Sequence, residues 1–415
     1  MALRRSVFFG AAVLVAVLSG VAQAGDPIRI GFSMSLTGAL AGGGKAALLA
    51  YEVWRDEVNA QGGLLGRKVE LVHYDDQSNP ANVPAIYTKL LSVDNVDLVV
   101  SGYATNQIAP AMPVVMQKNM VFLALFGTAV NDKFGYDKYF QMLPNGVDSA
   151  GANSRGFFET AMTMTPKPKR VALVAADAEY AQNSVVAARA LAKEFGFEIV
   201  YDRSYPPNSV DLTPIMRAIQ AAKPEVVYVA SYPSDSVAML RAVNEVKPAV
   251  RMFGGGMIGL AYTPIKTELG PLLNGVVSYD VYVPEPTMKF PGIEDFLKRY
   301  QDRAAAAGAD QLGYFLPPFA YAEMQILQQA VTKTGGIDQN KIGAYIRNNA
   351  FNTIVGDVKF APGGEWAQPR PLFVQYQNVV ANDVGQFRQA GKQVILYPPE
   401  FKSGSLIYPF SDIKR

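Results

Sequence analysis

The sequence contains no cysteine and a single histidine, His73, and both shortages exclude large classes of function. Without cysteine the chain has no disulfides, iron–sulfur clusters, thiolate zinc sites or cysteine nucleophiles. One histidine cannot build a histidine-rich metal site and could serve in only one catalytic triad. Most hydrolase and metalloenzyme activities are therefore disfavoured. His73 lies in a predicted strand and is most simply a residue of the sheet.

The sequence also lacks an excess of either charge. Its 38 basic and 36 acidic residues give a net charge of +2, and Arg4 and Arg5 lie in a segment that we expect to be removed. The remaining chain is balanced and has no basic field to hold a phosphate backbone, which argues against nucleic-acid binding. With 49% apolar and 18% charged residues, the 415-residue chain is typical of a globular protein with more than one domain.

Long hydrophobic runs are missing as well. The apolar run Val7–Leu18 has 12 residues, whereas a membrane-spanning helix needs about 20. Arg4 and Arg5 before this run and the sequence AQA after it predict a signal peptide over residues 1–24, cleaved after Ala24. No cysteine follows, which excludes a lipid anchor on the mature end. We expect a soluble protein in a bacterial periplasm, exported by either the Sec or the twin-arginine route.

What the chain does contain is an alternation of short apolar runs and helical patterns. Runs such as Ile28–Met34 precede amphipathic stretches such as Ala47–Val58, which predicts parallel sheets covered by helices. The alternation restarts at Arg170, which indicates two α/β lobes joined by a hinge. We assign residues 25–144 and 279–345 to lobe I. Residues 145–278 and 346–415 form lobe II, with the strand-like runs 355–360 and 372–376 completing it.

The segment from Asn59 to Pro80 is more specific than the surrounding pattern. It reads NAQGGLLGRKVELVHYDDQSNP and resembles the leucine/isoleucine/valine-binding family of periplasmic binding proteins, whose pattern is N-x-x-G-G-I-x-G-R-x-V-x-L followed by D-D-x-S-x-P. The resemblance extends over most of the mature chain. It implies a type I periplasmic binding protein fold with a hinged cleft between two lobes. It also implies a substrate-binding protein of ABC importers that works with a membrane permease.

The resemblance further implies ligand-binding residues in both lobes. In lobe I they lie in the loops after the third and fourth strands and would bind a carboxylate; in lobe II they would close over the ligand. These residues are Tyr103, Thr105, Phe126, Thr128, Tyr180 and Tyr232. Each type has an ordinary structural alternative. Thr105 could be a plain helix N-cap, Thr128 a turn hydroxyl, and the tyrosines core residues.

Two departures from the family pattern concern the ligand. Members that bind amino acids carry an acidic residue for the ammonium group at the position of Gly256, which here follows a strand in the run GGGM. An ammonium group buried without a partner is costly. An aromatic family position falls on Gly43, which would leave extra room. These departures favour an organic acid without an amino group, aromatic acids above all, but Asp177 or Asp235 could still supply the charge for an amino acid.

The remaining motifs support no enzyme. Gly254-x-Gly256-x-x-Gly259 imitates a dinucleotide fingerprint, but no clear helix opens at these glycines. The run Gly42–Ala46 imitates a phosphate-binding loop without its first glycine or its final Ser/Thr. Because acid, base and nucleophile are all unplaced, we expect no catalytic activity and no cofactor or metal. A periplasmic sensor is the alternative to an importer component. We expect a monomer, since closing lobes need freedom to move.

Overall fold

The computed structural model describes residues 25–415, and the predicted signal peptide lies outside the described residues. The first part of the chain forms a parallel sheet in the order β2-β1-β3-β4-β5. Its elements are β1 (Ile28–Met34), α1 (Ala41–Ala60), β2 (Val69–Asp75), α2 (Val83–Ser92), β3 (Leu98–Tyr103), α3 (Thr105–Ile108), α4 (Met112–Gln117), β4 (Phe122–Leu125) and β5 (Tyr139–Gln141).

The middle of the chain builds a second, larger sheet. Its elements are α5 (Ser149–Ala161), β6 (Arg170–Ala176), α6 (Glu179–Glu194), β7 (Glu198–Tyr205), α7 (Thr213–Ala222), β8 (Val226–Ser231), α8 (Pro233–Val246), β9 (Met252–Met257), α9 (Thr263–Leu269) and β10 (Val277–Asp280). Strand β8 is buried at every residue, as expected of a parallel strand that is covered by helices on both faces.

The chain then returns to the first lobe and crosses once more to the second. The elements are α10 (Ile293–Ala304), α11 (Pro317–Thr334), α12 (Gln339–Asn348), β11 (Ala350–Thr353), β12 (Gly356–Lys359), β13 (Leu372–Tyr376) and β14 (Gln393–Tyr397). Helices α10 and α11 pack against α1, and α12 packs against α11. Strands β13 and β14 extend the second sheet antiparallel, giving the order β14-β13-β10-β9-β8-β6-β7.

The structure differs from the predicted lobe boundaries in two places. All of β10 pairs in the second sheet, so the expected boundary between residues 278 and 279 cuts a strand. Strands β11 and β12 form a separate hairpin that packs against α11 instead of completing the second sheet. Apolar runs alone do not reveal which sheet they join, because both sheets offer the same kind of apolar edge.

Prolines interrupt the helical segment that follows β3. Between residues 105 and 117 the structure has α3, a short 3₁₀ turn and α4. Pro110 lies in the turn and Pro113 near the start of α4. Proline lacks the N–H group that an uninterrupted helix needs, so the helical segment is broken into short pieces.

Three segments connect the lobes, at residues 142–148, 281–292 and 360–371. The first and third are joined directly, because the backbone N–H of Arg370 donates to the carbonyl oxygen of Pro144 at 2.6 Å. The carboxyl ends of β3 and β4 in the first sheet face those of β6, β8 and β9 in the second. This is the place where α/β folds hold their ligands.

Candidate functional site

A cavity lies between the two lobes at these strand ends. The space inside it that solvent could fill is about 20 Å³, room for about one water molecule, so the cleft holds little free space in this structure. The first lobe contributes the loops after β3 and β4. The second lobe contributes residues at the starts of α6 and α8 and in the turn after β9. None of the twelve lining residues carries a charged side chain.

Six of the seven predicted site residues line this cavity: Tyr103, Thr105, Phe126, Thr128, Tyr180 and Tyr232. The seventh, Gly256, does not line it. The other lining residues, which the sequence did not single out, are Ala104, Leu143, Asn153, Ile258, Tyr279 and Phe315. The cavity therefore gathers residues from both lobes and from the first connecting segment.

Thr105 and Thr128 form a polar corner of the first-lobe wall. The side-chain oxygen of Thr105 accepts a hydrogen bond from the backbone N–H of Thr128 at 3.1 Å. The residue that caps α3 is Ala104, so the alternative that Thr105 is a plain N-cap is wrong. Within residues 25–415 neither threonine hydroxyl donates to a protein acceptor. Both protons are thus available to an oxygen atom of a ligand.

The backbone is strained beside both threonines. Ala104 has φ of +87° and Phe126 has φ of +66°, values that residues with a side chain rarely adopt. Strain of this kind persists only where the surroundings fix it. The ring of Phe126 is held edge to face by Phe315 and Phe319, with ring centres 5.3 and 5.2 Å away. The loops after β3 and β4 are therefore preset in shape.

Two tyrosines make the second-lobe wall. The rings of Tyr180 and Tyr232 meet edge to face at 5.7 Å, and both side chains are buried. The hydroxyl of Tyr180 donates to the carbonyl oxygen of Gly256 at 3.1 Å, and that of Tyr232 reaches Asn106 Oδ1 across the cleft at 3.4 Å. Burial raises the pKa of both phenols well above the ordinary value. They remain protonated and neutral.

A chain of polar side chains runs from the cavity into the first connecting segment. Asn153 Nδ2 donates to Thr128 Oγ1 at 3.3 Å, Asn145 Nδ2 donates to Asn153 Oδ1 at 2.9 Å, and the Tyr279 hydroxyl donates to Asn145 Oδ1 at 2.7 Å. The two asparagines are eight residues apart around the start of α5 and fully buried. Asparagine on an apolar helix face was the available signal, and the sequence interpretation missed it.

The extra room expected at Gly43 is absent. Gly43 lies in the first turn of α1, and a Cβ atom there would come within 2.6 Å of the Tyr262 hydroxyl and 2.9 Å of Tyr103 Cε1. The space that a larger side chain would occupy is thus filled by two tyrosines from elsewhere in the chain. The expectation was wrong because the sequence shows that Gly43 has no side chain but not which other residues pack into that space.

The glycine run that contains Gly256 was expected to follow a strand. It lies inside β9, where Gly254 and Gly255 have φ of +143° and +135° and closely approach neighbouring backbone. A Cβ atom at Gly256 would come within 2.7 Å of the Tyr180 hydroxyl and 3.2 Å of the Tyr228 hydroxyl. Tyr180 therefore stands between Gly256 and the cavity, in the space that an acidic side chain would take.

Neither aspartate considered as a substitute lines the cavity. Asp177 is exposed. Asp235 is fully buried, but its oxygens accept from the backbone N–H groups of Tyr232 and Asn208 at 3.2 and 2.9 Å, so it caps α8. Within residues 25–415, no group of three or more histidine, aspartate or glutamate side chains is placed to hold a metal ion.

The sequence is similar to those of known proteins. A family model described as "Periplasmic binding protein" matches residues 27–377. The chain is 26% identical over 403 residues to "Leu/Ile/Val-binding protein homolog 7" of Brucella abortus (strain 2308), covering 93% of this chain and 95% of the relative.

Two solved structures share the fold with a TM-score of 0.73 and 17% identity. One is the solute-binding protein of an R. palustris ABC transporter in complex with benzoate, matched over 89% of this chain and 95% of that one. The other is a branched-chain amino acid transporter substrate-binding protein of Streptococcus pneumoniae in complex with isoleucine, matched over 89% and 99%.

The chain therefore belongs to the periplasmic binding protein family, in its type I branch of Leu/Ile/Val-binding proteins. The resemblance based on Asn59–Pro80 and the two-lobed α/β fold are confirmed. The family consists of solute-binding proteins that work with ABC transporters. These binding proteins are not enzymes, and they reside in the periplasm. No helix in residues 25–415 has the length and apolarity that crossing a membrane requires.

Proposed function

We propose that this protein captures a small organic acid without an α-amino group, aromatic acids above all, between its lobes and delivers it to an ABC permease. The observation that carries this proposal is a cavity with polar hydroxyl and amide groups but no charged lining side chain. Six of the seven predicted site residues would touch the ligand, whereas Gly256, which was also predicted to bind it, would act by leaving room for Tyr180.

A carboxylate can be held without a basic residue. Thr105 and Thr128 have free hydroxyl protons, whereas both amide protons of Asn153 are donated to Thr128 Oγ1 and to the carbonyl oxygen of Ser149. Hydrogen bonds to a charged group are worth about 1.5–3 kcal/mol each. The two hydroxyls would supply a substantial part of the roughly 8 kcal/mol that micromolar affinity represents.

An ammonium group finds no counter-charge in the same cavity. The acidic position of amino-acid-binding relatives is Gly256 here, and the neutral phenol of Tyr180 occupies the adjoining space. Burying an unpaired cation is strongly unfavourable. The rings of Phe126, Phe315, Tyr180 and Tyr232 offer edges and faces to an aromatic ligand.

The second candidate is a branched-chain amino-acid-binding protein, which the similarity to the Brucella relative favours. The fold does not choose between the two, because the benzoate and isoleucine complexes match it equally well. A thermal-shift screen separates them. A ligand at 100 times its dissociation constant stabilises the folded state by about 2.7 kcal/mol, which raises the melting temperature visibly.

We expect benzoate- and cinnamate-like acids to raise the melting temperature, and leucine, isoleucine and valine to leave it unchanged. Stabilisation by an amino acid instead would overturn the proposed ligand class. Deletion of the gene tests delivery: uptake of the bound acid should be lost. If uptake continues and only a response to the acid is lost, the protein is a sensor.

A further inference from the structure

Two buried phenol hydroxyls beside the cavity have only each other within reach. Tyr103 lines the cavity and is 2% exposed; Tyr262 is 6% exposed. Within residues 25–415 neither hydroxyl makes a well-formed hydrogen bond, although each lies close to the other. Buried hydroxyls in proteins are nearly always paired, because an unpaired one loses its hydrogen bonds to water without replacement. A bond between these two would use one phenol proton and leave the other without an acceptor, so this place can receive a further polar partner.

The two tyrosines occupy one place, on the side of the cavity towards α1. A Cβ atom at Gly43 would lie 2.6 Å from the Tyr262 hydroxyl and 2.9 Å from Tyr103 Cε1, so both rings meet over this glycine. Phe315 lines the cavity and packs edge to face against Tyr262 at 5.4 Å. Tyr262 also lines a second cavity of about 250 Å³ towards Gly42 and Pro264. It therefore forms the partition between the two spaces.

The Tyr103 hydroxyl makes no hydrogen bond to Thr105 or Thr128, so the threonine corner does not use it. The chemistry favours a neutral partner. None of the residues lining the first cavity is charged, and Asp310 at the second cavity is occupied by the backbone N–H groups of Thr263, Leu312 and Gly313. A phenol can donate to or accept from such a partner.

We propose that Tyr103 and Tyr262 form a subsite for a neutral hydrogen-bonding group, such as a hydroxyl, that the ligand carries in addition to its carboxylate. The ligand is then a hydroxylated acid. This inference rests on the proposed function and specifies its ligand. A site built to hydrogen-bond a ligand hydroxyl discriminates strongly against an analogue that lacks it, because the polar groups of the site are left unpaired.

Calorimetric titration with matched acids tests the subsite. The pairs are 4-hydroxybenzoate with 4-methylbenzoate and 4-hydroxycinnamate with 4-methylcinnamate, each also with the substituent at position 3. We expect the hydroxyl acid to bind at least about tenfold more tightly in one or more pairs. Tyr103→Phe and Tyr262→Phe should each reduce that preference to less than about threefold. Tyr300→Phe, which removes an unpaired buried hydroxyl in α10, is the matched control and should keep it.

Two results would overturn the subsite: methyl acids that bind as tightly as hydroxyl acids in every pair, or a preference that survives both cleft variants. The comparison of hydroxyl acids with methyl acids in the wild-type protein tests the subsite even if a variant folds poorly. Unsubstituted benzoate and cinnamate separate the two proposals. If they bind and the pairs do not differ, only the subsite is wrong; if no carboxylate binds, the proposed function fails with it.

Discussion

The two walls of the cavity are built by different means. The wall of lobe I consists of two strand-end loops, whose shape is preset by positive φ angles at Ala104 and Phe126 and by the bond between Thr105 and Thr128. The wall of lobe II consists of side chains, chiefly Tyr180 and Tyr232, which project from the starts of helices. The backbone conformation fixes the position of the first wall, whereas the packing of aromatic rings fixes the position of the second wall.

The difference suggests a division of labour during closure. The first wall would hold the carboxylate before the lobes meet, and the second would cover the ligand as they close. Contacts already span the cleft in this structure: Asn183 Nδ2 reaches the carbonyl oxygen of Thr128 at 3.3 Å, and Lys133 pairs with Glu179 at 2.6 Å. Because the first wall would hold the charged group of the ligand, we expect substitutions there to reduce ligand affinity more than substitutions in the second wall.

The largest effect is expected from Thr105→Val. This change removes the proposed ligand donor of the first wall and leaves the N–H group of Thr128 without its acceptor. We expect affinity for the acid to fall about 100-fold, the equivalent of one or two bonds to a charged group, as measured by calorimetry. Thr160→Val is the matched control, because Thr160 is a buried threonine of α5 whose hydroxyl has no partner. An equal loss in both variants would contradict the role of Thr105.

Gly256→Ala should have the next largest effect. The new methyl group would lie 2.7 Å from the Tyr180 hydroxyl and would displace that ring from its place in the second wall. We expect about a tenfold loss of affinity, because one wall contact is lost and the closed form is disturbed. Gly336→Ala is the control, since its methyl group meets nothing within 4 Å. Unchanged affinity in Gly256→Ala would show that Tyr180 does not contact the ligand.

Tyr232→Phe tests closure with a smaller change. The variant keeps the ring but loses the 3.4 Å contact with Asn106 across the cleft. Because that hydrogen bond is long, we expect affinity to fall only about threefold, mainly through faster dissociation, as stopped-flow kinetics can measure. Tyr201→Phe on β7 should leave both rate constants unchanged. A tenfold or greater loss in Tyr232→Phe would mean that its hydroxyl binds the ligand directly.

At Glu323, behind the first wall, we expect a substitution to have the smallest effect on ligand affinity and a clear effect on the free energy of unfolding. Burial raises the pKa of this carboxyl from 4.5 to about 8. Its oxygen lies 2.6 Å from the hydroxyl of Tyr51, which is 3.0 Å from the carbonyl oxygen of Ser101 in β3. One phenol proton cannot serve both acceptors, so a protonated Glu323 that donates to Tyr51 completes the chain to Ser101.

The pH dependence follows from proton binding. Between pH 4.5 and about 8 the folded protein holds a proton on Glu323 that the unfolded chain has released, so stability falls as the pH rises through this window. We expect denaturant unfolding to show this decline in wild type and a flatter profile in Glu323→Gln, with similar ligand affinity at pH 7. An identical decline in both proteins would contradict a protonated Glu323.

The sequence predicted the elements better than their assembly. Strand β1 was recognised as an apolar run and the start of β6 at Arg170 as the point where the alternation restarts, because buried parallel strands are apolar on both faces. The membership of β10 and the separate hairpin β11–β12 were not, since edge pairing depends on contacts far apart in sequence. In the site, the strand-end loops followed from the family resemblance. Asn153, Tyr279 and Phe315 were missed because only tertiary packing brings them to the cavity.

Two glycine positions show the same limit of prediction from sequence. At Gly43 and Gly256 the sequence indicated only that a side chain of the family pattern is missing. It could not show that Tyr262 and Tyr180 fill those spaces. The ligand class thus depends on residues that lie far along the chain from the glycines themselves.

The central claim is that the cavity has no counter-charge for an ammonium group. The most direct test compares ligands that differ only in the amino group. Calorimetric titrations would pair leucine with 4-methylpentanoate and phenylalanine with 3-phenylpropanoate. The proposed function predicts that at least one of the acids binds and that its amino acid partner binds about 100-fold more weakly or not at all. Amino acids that bind as tightly as, or more tightly than, the matching acids would contradict it.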